Sequence, residues 1–319
     1  MSAAGTESGR KAEFTAVPAK VAQFAVLGSR RALTLEGKLD GTWLTKPLPV
    51  ALLYLGLITL QESFTIANAV PNHIVVAVLL DATLLVLALT HAALVRRLAP
   101  PTSAMLVAFM PAGLIRIVSL TTPLREFTYI QWFAIIAIVI YAGIVTATKL
   151  LGSDLASLGL RWPAAKNLPL EVGIVLVGFA LGFVEYQILR PGAITRGLDV
   201  REIVGPALVL LVATGLLEEI AFRGLLQRYA TAAMGQTWGI AFVTATFAAL
   251  HFGWVYATPW AWTDIFFVAS VGLTYSLVRR KTGSIVGVTL SHGITNAMLF
   301  LVMPFIVIQY PWLVFGAGH

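Results

Sequence analysis

Cysteine is absent from all 319 residues. That excludes disulfides, thiolate metal ligands and a cysteine nucleophile together. Charge is nearly as scarce: 12% of residues, where a soluble domain carries about 25%. Several catalytic signatures are missing too. There is no His-Glu-x-x-His pair, no Gly-x-Ser-x-Gly elbow and no G-x-x-x-x-G-K loop, which sets aside zincin, serine-elbow and P-loop chemistry. Ser291 precedes His292, but neighbours on a helix point about 100° apart, a poor geometry for a nucleophile and its base. Internal repeats and low-complexity tracts are missing as well.

What is present is apolar. Hydrophobic residues make up 58% of the chain, and the mean hydropathy is +0.85. This composition predicts an all-α polytopic membrane protein with about eight or nine transmembrane helices. Apolar runs near twenty residues long fall at about 47–66, 74–95, 103–121, 130–151, 170–189, 203–230, 236–253, 262–279 and 284–303. Pro111 and Arg116 interrupt the third of them. The net charge of +7 gathers in short loops, as in cytoplasmic loops of membrane proteins, and no nucleic-acid-binding motif accompanies it. No nucleic-acid partner is expected. The expected partners are membrane lipid and a protein or peptide substrate.

Residues 1–46 carry seven Lys/Arg against four Asp/Glu and read as a cytoplasmic tail. Lys/Arg-rich connections then fall on alternate sides of successive spans. This predicts a cytoplasmic N-terminus, and the expected location is a bacterial cytoplasmic membrane. The expected organisation is a first group of about four helices (47–151), a linker (152–169), a second group forming a core (170–305) and a C-terminal tail (306–319).

Within the second group, polar residues occur where hydrocarbon is expected. Ionised groups at that depth cost several kcal/mol or carry function. Glu218-Glu219 and Arg223 lie in one apolar run, with Glu219 and Arg223 four apart on one helix face. Glu218 is turned about 100° away and must find another partner. Phe247 and His251 are four apart, as are His292 and Asn296. The sixth and seventh segments form a hairpin turning near Gly235, which puts Glu218 and His251 level across it, so His251 is the expected partner. Asp264 is a weaker candidate near the interface. A lone buried His or Asn is ordinarily helix–helix glue, and a Glu–Arg pair is ordinarily structural. Several such groups at one depth point to a functional pocket instead. Glu62 and Asp81 are lone acids in the first two segments and carry no assignment.

Two chemistries fit this set. A carboxylate and a histidine beside a water can serve as general base and proton shuttle, while a second histidine and an asparagine amide donate to an oxyanion. Alternatively, Glu218, His251 and His292 could hold a divalent metal such as zinc. The residues leave both open.

At these positions the sequence resembles the CPBP intramembrane proteases, the CAAX-protease and bacteriocin-processing (Abi) family. The family pattern is Glu-Glu-x-x-x-Arg, then Phe-x-x-x-His, then His-x-x-x-Asn on successive membrane helices. Here these are Glu218-Glu219-Ile-Ala-Phe-Arg223, Phe247-Ala-Ala-Leu-His251 and His292-Gly-Ile-Thr-Asn296. The resemblance covers about 170–305. It implies an intramembrane endopeptidase, called a metalloprotease by habit although a metal-free glutamate mechanism is also argued. In it Glu218 and His251 activate water, His292 and Asn296 form the oxyanion hole, and Glu219, Arg223 and Phe247 support them. The alternative is a non-catalytic membrane scaffold or bacteriocin self-immunity protein of the same family.

Overall fold

Among the described residues, each of the long apolar runs lies mainly in a helix. The computed structural model describes residues 38–65, 72–252 and 261–314, and no strand occurs among them. Gly41 onward forms one compact unit. Its first five long helices are α1 (Pro47–Thr65), α2 (His73–Val95), α3 (Pro100–Thr121), α4 (Tyr129–Leu150) and α5 (Leu168–Leu189). A 50-residue apolar stretch, Val200–Ala249, follows. Gly235, at φ 79° and ψ 169°, breaks it into α6 (200–234) and α7 (236–249). That backbone region is open to glycine and costly for other residues, so the hairpin turn predicted near this position falls on Gly235 itself. The last two helices are α8 (Ala261–Thr282) and α9 (Val286–Gln309).

Seven helices among the described residues are long and apolar enough to cross a bilayer, with Val200–Ala249 counted as one. Alpha7 alone is about 21 Å long, less than the roughly 30 Å hydrocarbon thickness. His251 therefore sits just past its C-terminal end rather than mid-span. The polarity is that of a protein in lipid. Val86, Ile138 and Phe266 are 62%, 71% and 71% exposed, while Glu62, Asp81, Glu219 and Arg223 are fully buried.

Arg116 lies inside the continuous helix α3, past Pro111. Its guanidinium forks onto Glu62 of α1, Nε and Nη2 each donating at 2.5 Å to one carboxylate oxygen. Next to it, the Gln61 amide donates to Asp81 of α2 at 2.9 Å. The two acids that stood alone in the sequence thus belong to a buried network joining three helices.

Two devices fix α9, the carrier of His292 and Asn296. Gly178 and Gly182 of α5 form a G-x-x-x-G face against it. A Cβ at either glycine would meet a backbone carbonyl of α9, that of Ser291 or Thr295, at 2.6 Å. Small residues at this spacing let helix backbones touch in a membrane, where packing rather than hydrophobicity drives association. The Thr295 hydroxyl then donates to the Gly178 carbonyl at 3.2 Å. At the N-terminus of α9, Glu171 of α5 accepts from the Gly287 N–H at 2.7 Å, which satisfies an orphan donor and opposes the helix dipole. The 152–167 connection also packs down. Leu158 is buried, and the Gly159 carbonyl accepts from the Ile285 N–H at 2.9 Å.

Candidate active site

Glu218 and Glu219 lie between two π-helical stretches of α6, Leu211–Leu216 and Ile220–Leu226. A π turn closes i to i+5 and so carries one more residue than an α turn, and such turns concentrate at functional sites. The regular-helix expectation separates the two carboxylates by direction. In the structure both reach the same imidazole. His292 Nδ1 is 2.9 Å from Glu219 Oε1, and its Nε2 is 3.9 Å from Glu218 Oε2. His292, not His251, is thus the histidine that comes within 4.0 Å of Glu218. His251 comes within 4.0 Å of no carboxylate among the described residues, but it lines the same cavity.

The expected pair of Glu219 and Arg223 is present. Arg223 Nη1 donates to Glu219 Oε1 at 3.0 Å, and both side chains are fully buried. Glu219 Oε1 therefore faces two donors, Arg223 and His292. Phe247 is the ring that holds the cluster apart. The Arg223 guanidinium lies 4.2 Å over its face, His251 is 4.7 Å away and His292 meets it edge-on at 6.3 Å. A cation over an aromatic face is attracted by the ring quadrupole, which compensates part of the guanidinium's desolvation.

Hydrogen bonding sets the tautomers. His251 Nδ1 lies 2.8 Å from the Phe247 carbonyl. A carbonyl only accepts, so Nδ1 carries the proton and Nε2 presents a lone pair. By the same logic His292 donates from Nδ1 to Glu219, and its Nε2 can act as a donor only when the ring is an imidazolium. Asn296 donates from Nδ2 to the Thr214 hydroxyl at 2.8 Å, and Thr214 in turn donates to the Leu210 carbonyl. Thr214 fixes the Asn296 amide. It precedes Glu218 by four residues, a spacing that could have marked it in the sequence.

These groups surround a cavity of about 150 Å³ lined by Glu218, His251, His292, Asn296 and Thr214. Its walls are largely apolar, among them Phe267, Val268, Leu299 and Phe300. Two further acids line it, Glu185 of α5 and Asp264 of α8. Glu185 escaped sequence reasoning although, as a lone acid in an apolar run, it gave the same signal as Glu218. A second cavity of about 80 Å³ adjoins the other side of Glu218 and His251 and includes Arg116. The buried network of the first three helices therefore abuts the site.

Among the described residues no three His, Asp or Glu side chains come together as a metal-holding group. Both histidines bond through Nδ1, His292 to Glu219 and His251 to the Phe247 carbonyl, and this leaves Nε2 of each ring uncommitted.

No curated protein and no solved structure matches the chain. Residues 201–298 match the family model described as Type II CAAX prenyl endopeptidase Rce1-like. All three polar motifs, from Glu218 to Asn296, fall inside that stretch, which is under a third of the chain and is similar to an Rce1-like CAAX prenyl endopeptidase domain.

Proposed function

We propose that the protein is an intramembrane endopeptidase that hydrolyses a peptide bond with a water activated by Glu218 and His251. The supporting observation is one cavity that gathers a carboxylate, a histidine lone pair and two amide or imidazole donors inside the family-matched stretch. Glu218 and His251 Nε2 take the water proton as its oxygen attacks the carbonyl carbon. His292, as an imidazolium held by Glu219, and the Asn296 amide donate to the oxyanion. The proton then passes to the leaving amine as the C–N bond breaks. Glu219, Arg223 and Phe247 hold His292 in place, and Thr214 holds Asn296. Apolar walls strengthen each of these dipoles. In this reading residues 170–305 are the protease core, the N-terminus is cytoplasmic and the substrate is a membrane-associated peptide.

The test uses purified full-length protein in lipid nanodiscs, offered a prenylated CAAX peptide and a set of transmembrane peptides, with products read by mass spectrometry. Glu218→Gln is nearly isosteric, and loss of a general base lowers rate by about 10²–10⁴-fold. Cleavage by wild type that survives chelator and is lost in this variant is the expected result. Cleavage by Glu218→Gln at the wild-type rate overturns the assignment, and chelator-sensitive cleavage overturns its metal-free form.

A further inference from the structure

A third cavity shares Arg223 with the site and extends beside the Gly235 turn. It measures about 200 Å³, several times a water's roughly 30 Å³ share of the liquid. Arg223 forms its floor, Gln227 its wall, and Arg228, Arg279 and Arg280 its mouth. Arg228 Nη1 and Arg279 Nη2 both donate to the Ser157 carbonyl, at 3.1 and 3.5 Å, so the two guanidinia meet at one acceptor. Among the described residues none of the three mouth arginines has a carboxylate within 4.0 Å. The nearby acid is Asp154, whose carboxyl is held below the usual carboxylate range chiefly by the Ser157 backbone N–H, which donates to it at 2.7 Å.

The interior holds unpartnered groups, among them the Gln227 side-chain oxygen and several guanidinium donors. Arg223 is fully buried, spends Nη1 on Glu219, and leaves Nε and Nη2 without a partner. Arg279 Nε is buried and unpartnered as well. A buried donor left unmade costs about 1–3 kcal/mol, more when charged. Like charges gathered around a cavity lined by polar groups repel one another unless an anion enters. The surroundings bear on its source. Trp238, 56% exposed, follows the lining residue Gln236 on α7 just past the turn, and Leu277, 44% exposed, precedes Arg279–Arg280 on α8. An exposed tryptophan beside a basic cluster marks a membrane–water boundary.

We propose that this cavity binds a phosphate anion, presented as the headgroup of an acidic phospholipid. The phosphate oxygens accept from Arg228, Arg279 and Arg280 at the mouth, with acyl chains along α8. Basic pockets between membrane helices suit such headgroups, and planar guanidinia match phosphate oxygens. The inference does not depend on the chain being a protease.

Native mass spectrometry of the full chain with equimolar phosphatidylglycerol and phosphatidylcholine tests it. Wild type should retain phosphatidylglycerol preferentially. Arg228→Gln with Arg280→Gln, two exposed positions whose replacement leaves the fold intact, should lower that preference about thirty-fold, at about a factor of five per arginine. A second arm compares thermal unfolding of lipid-free protein in inorganic phosphate and in chloride of equal ionic strength. Protection by phosphate without a lipid preference, lost in the double variant, keeps the anion site and assigns it to soluble phosphate. Neither lipid preference nor phosphate protection in wild type, or either of them unchanged in the double variant, overturns the proposal.

Discussion

Removing the positive charge from the buried network of the first helices should unfold the protein more readily than almost any single change outside the candidate site. In Arg116→Met, Glu62 loses both donors of its fork, each at 2.5 Å, and remains fully buried beside the equally buried Asp81. Two carboxylates then share the Gln61 amide as their neighbouring donor. Leaving one member of a buried ion pair uncompensated costs about 3–5 kcal/mol. At about 2 °C per kcal/mol for a large domain, the unfolding midpoint should fall by about 6–10 °C. Replacing both partners, as Arg116→Met with Glu62→Leu, removes the orphaned charge, and exchange of a buried pair for apolar side chains is often nearly neutral. The double variant should recover most of the loss, a coupling well above the few tenths of a kcal/mol seen between independent sites. The eight tryptophans report unfolding by intrinsic fluorescence in detergent, and the absence of cysteine rules out thiol-reactive dyes. An unshifted midpoint in Arg116→Met, or a double variant less stable than the single one, would refute the reasoning.

Two further outcomes follow from single hydrogen bonds. Thr214→Val keeps the shape of the side chain but removes the acceptor of Asn296 Nδ2 at 2.8 Å. A lost bond of this kind is worth about 1–3 kcal/mol, so kcat should fall about tenfold or more while KM hardly moves; steady-state kinetics with kcat unchanged would remove Thr214 from the site. Glu171→Ala uncaps α9 at the Gly287 N–H and should cost about 1–2 kcal/mol, with faster amide exchange confined to the first turn of that helix. Equal stability and equal exchange in the variant would show that the cap contributes nothing.

Much of the architecture is local and therefore legible in the sequence. A bilayer admits helices because every backbone group must be satisfied within its own segment, so a run of about twenty apolar residues commits itself. The Gly235 turn is legible for the same local reason, since glycine tolerates its backbone angles. The pairing of Glu219 with Arg223 follows from helical phase alone, and three motifs at fixed spacing mark the stretch that matches the Rce1-like family model.

Pairings between distant segments were left to the fold. Glu62 and Arg116 are 54 residues apart, and periodicity says nothing about which faces of two helices meet. Glu185 and Asp264 join the cavity because α5 and α8 converge on it, and Arg116 abuts the site because the first helices pack there. The two adjacent glutamates show the division most clearly. By themselves the residues determine that two carboxylates lie in hydrocarbon with one arginine at i+4. Only the tertiary structure decides that His292 lies between them. It does so because Gly215 of α6 and Gly293 of α9 leave no side chain between those two helices, where a Cβ on Gly215 would meet the Gly293 backbone nitrogen at 3.0 Å and the Thr289 carbonyl at 3.1 Å, so that the imidazole reaches both carboxylates.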